Sequence, residues 1–203
     1  WNPIANATQG IVFNATFDGN EHIISGLYIN HDAGDSDDDV GLFGNAYGDY
    51  AVLKDVFLSD VSIVGNDSTG ALLGNGHEWP HNVTVTNTGM SGSVTGDAYV
   101  GGLVGYGVYA TVTNSYATGS VTGDAAVGGL IGEGDISIVT KSYATGDIAG
   151  SGFSVGGLIG DGFGSTVTEC YATGIVTGDS TVGGLLGYGT SDTVTKSYAT
   201  GSV

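Results

Sequence analysis

Short runs of valine, isoleucine, leucine, threonine and tyrosine alternate along this chain with glycine and small polar residues. Thr111-Val112-Thr113 and Thr166-Val167-Thr168 alternate polar and apolar positions with period two, as half-buried strands do. Glycines bound the runs at intervals too short for helices, and the runs are rich in β-branched and tyrosine residues. Both features predict short strands. No apolar run approaches the roughly 18 residues of a membrane span.

The runs recur. Tyr116, Tyr143, Tyr171 and Tyr198 stand in SYATG, SYATG, CYATG and SYATG, spaced 27, 28 and 27 residues apart. Gly102-Leu103, Gly129-Leu130, Gly157-Leu158 and Gly184-Leu185 stand in VGGLVG, VGGLIG, VGGLIG and VGGLLG with the same three spacings. Two markers sharing one period, with the extra residue in the same copy, define a structural repeat. Val40-Gly41-Leu42-Phe43-Gly44 and Gly70-Ala71-Leu72-Leu73-Gly74 are degenerate copies upstream. Their leucines lie 30 apart, and Leu72 lies 31 before Leu103, so extra residues loop out around 76–82.

Each unit divides into three strands, VGGLVG, TVTNSYAT and GSVTG. The same three strands returning on every turn predict an all-β fold, a right-handed parallel β-helix. It has about six to seven coils of 27–31 residues with three short strands per coil, each coil about 4.8 Å above the last. The whole chain, 1–203, reads as one β-solenoid domain. Residues 1–30 form an N-terminal segment and first coil, 31–95 degenerate coils with loop insertions, and 96–203 the regular repeats.

Stacking in register puts residues one period apart in contact. The column Val112, Val139, Val167, Val194 is apolar and faces the core, whereas Asn114, Lys141, Glu169, Lys196 is polar and faces water, with Glu169 between opposite charges. The two columns differ by two residues and would share a face on a straight strand, so a corner bends the chain between them. Asn suits such a bend because it tolerates a left-handed backbone. Ser115, Ser142, Cys170 and Ser197 form a small column, in which Cys170 stands in for serine. The tyrosine column stacks either inside or outside.

Composition narrows the function. The net charge is −18, with three lysines, no arginine, and Asp outnumbering Glu 17 to 4. Such a chain cannot neutralise a phosphate backbone, which excludes nucleic acid as a partner, and it is repelled by anionic lipid. An Asp-rich, Lys-poor surface suits high salt or a calcium-rich exterior. The lone Cys170 forms no internal disulfide.

VGGLVGYG followed by TVTNSYATGSVTG resembles the GLUG-motif repeat, and Trp1-Asn2-Pro3-Ile4, Phe17-Asp18-Gly19-Asn20 and Ile24-Ser25-Gly26-Leu27-Tyr28-Ile29 resemble the segment that precedes such repeats. The resemblance is specific over 100–203 and looser over 30–95. It implies a β-helical module of large bacterial or archaeal surface proteins, adhesins among them, located outside the cell or on its surface. It brings no catalytic residues, since the motif is structural.

Several candidate sites stand apart from the repeat. His77-Glu78-Trp79-Pro80-His81 matches HExxH in letters, but Pro80 breaks the helix that a zinc protease needs, so it reads as an exposed loop. Asp32, Asp35, Asp37, Asp38 and Asp39 crowd one loop. Asp35, Asp37 and Asp39 are candidate calcium ligands set against a plain solvated acidic loop, and no cofactor is otherwise required. Asp97, Asp124 and Asp179 recur at the VTGD corner, with Ser151 in the missing place. Asn6, Asn14, Asn66 and Asn82 head N-x-S/T sequons. Gly101-Gly102 and its counterparts precede strands, so corner geometry rather than phosphate binding accounts for them. Thr84/Thr86, Thr111/Thr113, Thr166/Thr168 and Thr193/Thr195 form outward T-x-T ranks, broken by Ile138.

No nucleophile group or acid/base pair stands out, so the chain is expected to be non-enzymatic, a structural and adhesive module. The alternatives are a self-assembling filament or envelope subunit, and an ice- or carbohydrate-binding module using threonine or tyrosine ladders. Trp1 opens the sequence without methionine, as in a processed or excised piece, and Val203 ends it part-way through a unit. An uncapped coil would belong to a longer protein or pair head-to-tail with another copy, so the expected partners are other copies of the chain or cell-surface ligands, with no membrane insertion.

Overall fold

The computed structural model describes residues 2–5, 10–31, 39–77, 79 and 82–203. The chain winds into an all-β parallel solenoid of about six turns with three parallel sheets. One sheet stacks Asp39–Val40, Ser68–Gly70, Ala98–Gly101, Ala125–Gly128, Phe153–Gly156 and Ser180–Gly183. A second stacks Phe43–Asn45, Leu73–Asn75, Val104–Tyr106, Ile131–Glu133, Ile159–Phe163 and Leu186–Thr190. The third takes in Thr16–Ser25, the long strand Val52–Val64, Gly89–Thr95, the TVT and SYAT segments of the later coils, and the strands Ser120–Gly123, Ile148–Gly150 and Val176–Thr177.

The strand division differs from the expected one. VGGLVG is not a single strand: Ala98–Gly101 and Val104–Tyr106 belong to different sheets, with the bend at Gly102-Leu103. The reason is space. A side-chain carbon on Gly102 would lie 2.8 Å from the Cβ of Ala117, and on Gly129 2.7 Å from that of Ala144. Gly157 meets Ala172 at 2.9 Å and Gly184 meets Ala199 at 3.0 Å in the same way. The two markers of the repeat therefore touch across the interior of each of these four coils. Gly102 does sit at a corner, but what it supplies is room and not a left-handed backbone.

The left-handed positions carry side chains instead. Asn114, Lys141, Glu169 and Lys196 have φ of 52°, 50°, 56° and 50°, so the expected corner after TVT is present. Tyr99, Ala126, Ser154 and Thr181 form a second left-handed column, and Tyr109, Ile136, Gly164 and Ser191 a third. Three such bends per coil close the cross-section. Holding non-glycine residues there carries a strain cost, which the stacked neighbours on both sides offset.

Inside, Val100, Leu103, Val104, Val112, Ala117 and Val121 of one coil are all fully buried, and their equivalents stack above them. Val112, Val139 and Val167 fill the core as expected, while Val194, in the final described coil, is 43% exposed. Pairing is offset by 31 residues at Leu73–Val104 and by 27 at Thr84–Thr111, which places the looped-out residues between Asn75 and Thr84. The 28-residue spacing comes from one extra residue in the stretch Gly150–Phe153, since Val121–Ile148 are 27 apart and Val127–Val155 are 28 apart.

Candidate functional site

Four outward columns and one inward one carry the polar chemistry. At the first left-handed corner Lys196 Nζ lies 3.1 Å from Glu169, whose carboxyl is held below its usual range mainly by that hydrogen bond. Lys54 Nζ reaches Asp18 at 2.6 Å and Asp55 at 3.3 Å, and the Asn87 amide donates to Asp55 at 2.6 Å. All three lysines of the chain thus stand at or beside one corner.

Behind it runs a buried hydroxyl ladder. The Thr88 N–H donates to Ser115 Oγ at 3.3 Å, Ser115 N–H to Ser142 Oγ at 3.1 Å, and Cys170 N–H to Ser197 Oγ at 3.0 Å. The hydroxyls of Ser115, Ser142 and Ser197 in turn donate at 2.9 Å to the carbonyls of Thr113, Thr140 and Thr195. The Cys170 thiol makes the same contact with Thr168 at 3.2 Å and is buried, which pushes its pKa up. A protonated thiol in a serine position is a packing element, not a nucleophile.

The tyrosine column faces outward. Tyr116, Tyr143, Tyr171 and Tyr198 stack with centroid spacings of 5.3, 4.8 and 5.4 Å and interplanar angles of 9° or less. The stack continues from Tyr116 to Phe57, at 6.1 Å, over Gly89, where a side chain would strike the Tyr116 ring. Because each ring covers the face of the next, the column shows solvent mostly edges and hydroxyls. The threonine ranks also point out. Thr86, Thr113, Thr140, Thr168 and Thr195 run unbroken through five coils, and Ile138, 49% exposed, interrupts the other rank.

The HEWPH segment is partly described: Glu78, Pro80 and His81 lie outside the described residues. His77 stacks on Tyr109 (6.0 Å, 20°) and meets Tyr106 edge-on (5.5 Å), Trp79 packs on Tyr109 (5.4 Å), and Tyr99 packs on Tyr106 (5.2 Å). The insertion therefore caps an aromatic corner of the next coil. Beside it Tyr106 aligns with Glu133, and Glu133 with Asp161. Burial, then the charges of Asp135 and Asp161, push the Glu133 carboxyl up to about 7. Burial, then Glu133, pushes the Tyr106 hydroxyl up to about 12. Asp135 and Asp161 are raised as well, each first by burial. Asp192 accepts the Ser165 N–H at 2.6 Å. Sequence reasoning missed this group, although Tyr106, Glu133, Asp161 and Tyr188 lie one period apart and form a readable column.

Of the other expected sites, Asp35, Asp37 and Asn6 lie outside the described residues. Asp39 starts a strand and pairs with Ser68. Among the described residues no three His, Cys, Asp or Glu side chains are placed to hold a metal ion. Asp97 and Asp124 are neighbours, joined by the Asp124 N–H to the Asp97 carbonyl, and Ser151 hydrogen-bonds Asp124 on the other side. Asn14 and Asn82 are exposed and Asn66 is half-buried; the Asn14 side chain accepts the Tyr50 N–H at 3.0 Å.

Comparison with known proteins agrees with this repeat. A family description, the GLUG motif, matches residues 96–122, one full coil. The chain carries the GLUG motif. The contacting pair Gly102 and Ala117 lies within the matched residues. Halomucin of Haloquadratum walsbyi is 39% identical over 103 residues, 51% of this chain and 1% of that protein's length. The fold is that of a Bacteroides ovatus protein described as a putative immunoglobulin A1 protease, with a TM-score of 0.67 at 20% identity, over 98% of this chain and 63% of the other. At that identity the likeness speaks for the fold alone.

Proposed function

We propose that the chain is a non-enzymatic, extracellular structural and adhesive module, a stiff segment of a larger surface protein. The observation that carries this reading is the continuity of the ladders: hydroxyl, tyrosine and threonine columns pass from coil to coil along the axis. Such columns add up along the rod and repeat the same outer ranks over the regular coils. Likeness to halomucin, named as a mucin is, supports an extracellular setting. About six coils at roughly 4.8 Å make a rod about 30 Å long. Pulled to full extension, 203 residues reach about 70 nm. Single-molecule stretching of the chain between inert handles tests this. A structural rod gives one to a few resolved rupture peaks accounting for that length, while smooth extension at low force would rule the reading out.

A second reading is ligand binding through the threonine ranks, favoured by the unbroken rank from Thr86 to Thr195. Its hydroxyls are partly engaged with each other, Thr168 with Thr195 at 3.0 Å. An ice-recrystallisation assay decides it: activity that disappears in Thr140→Val supports it, and no activity removes it.

A further inference from the structure

Five aromatic rings, those of His77, Trp79, Tyr99, Tyr106 and Tyr109, meet a run of carboxylates that begins at Glu133, and we propose that this junction binds quaternary ammonium compounds. The rings differ from those of the tyrosine ladder in what they leave open. In the ladder the rings are parallel and cover one another. Here three of the four ring contacts cross, at 48°, 65° and 77°, while His77 lies nearly flat on Tyr109 at 20°, and Trp79 is 70% exposed, so its electron-rich face is open to solvent. Such faces attract a poorly hydrated cation.

The neighbouring coils supply the matching charge. Glu133 aligns with Tyr106 one coil away, Asp161 follows in the same column, and the Asp135 carbonyl accepts the Tyr109 N–H at 2.8 Å. No lysine balances these acids, because all three are gathered at the first left-handed corner. The pKa of Glu133 is raised first by burial and then by the charges of Asp135 and Asp161, and a cation seated on the rings relieves that repulsion. A bare metal ion is the poorer occupant. It needs a converging set of oxygen ligands, and no three acids converge among the described residues. A neutral sugar would use the ring faces but leave the charge unbalanced. A bulky ammonium uses both.

Saturation-transfer NMR on the full chain with choline chloride is the test, with the neutral isostere 3,3-dimethylbutanol, glucose and calcium as competitors. Choline is expected to bind saturably, and the isostere more weakly. Glu133→Gln and Tyr109→Asn, the latter keeping a residue suited to the φ of 62°, should each weaken choline about two- to fivefold. Unchanged far-UV circular dichroism shows both variants to be folded, and Tyr171→Leu, in the ladder, should bind normally. Four results would overturn the proposal: no saturable choline signal, equal binding of the isostere, displacement by glucose or calcium at equal concentration, or full binding by both site variants.

Discussion

Replacing Glu133 by glutamine removes a charge from a crowded face without changing its shape, and the sign of the effect depends on pH. In the folded protein the carboxyl is pushed up to about 7 from 4.5, by burial first and then by Asp135 and Asp161. Between those values the folded state keeps a proton that the unfolded state releases. Stability is therefore highest below about 4.5 and is lost as pH rises to 7 and beyond. A group wholly out of water with that difference would contribute roughly 3 kcal/mol. Glu133 is half-buried, and solvent screening leaves about 1–2 kcal/mol. Glutamine mimics the protonated acid. Glu133→Gln should thus raise the melting temperature by about 3–6 °C at pH 8. At pH 4, where wild-type Glu133 is already neutral, the two proteins should melt together. Thermal melts of both at fixed ionic strength measure the difference directly. An equal gain at both pH values would mean that packing, not charge, is responsible, and no gain at pH 8 would refute the crowding argument.

Other substitutions read the remaining columns. Tyr143→Ala removes the ring between Tyr116 and Tyr171 and should cost about 1–3 kcal/mol in urea unfolding, more than a lone half-exposed tyrosine would. Gly157→Ala places a methyl 2.9 Å from Ala172 Cβ and tight against the Gly184 carbonyl. It should cost about 3 kcal/mol or leave the protein unable to fold, read by denaturation midpoint and soluble yield. Cys170→Ser restores the hydroxyl ladder and should change stability by less than about 1 kcal/mol in either direction. Lys141→Asn puts a residue tolerant of left-handed backbone at φ 50° and should be neutral or stabilise by about 0.5 kcal/mol in the same assay.

What the sequence reveals here follows from how the fold is built. In a solenoid, contact in space is contact at one period in sequence, so Val112 finds Val139 and Tyr116 finds Tyr143 by counting alone. The corner after TVT was legible for the same reason, because a polar column two residues from a buried one cannot share its face. Contacts across a coil have no such rule. That Gly102 packs on Ala117 requires the cross-section, which is set by three bends, and the residues do not announce the positions of the other two: Tyr99, Tyr109 and Ile136 are poor candidates for left-handed backbone. The same gap hid the aromatic corner. Tyr99, Tyr106 and Tyr109 belong to the repeat unit, whereas His77 and Trp79 belong to an insertion that interrupts it. Insertions escape the register that makes everything else predictable, and they are also the places where a uniform rod acquires a surface unlike its other coils. For a protein of this build, the departures from the period are therefore where a ligand can be told apart from the scaffold.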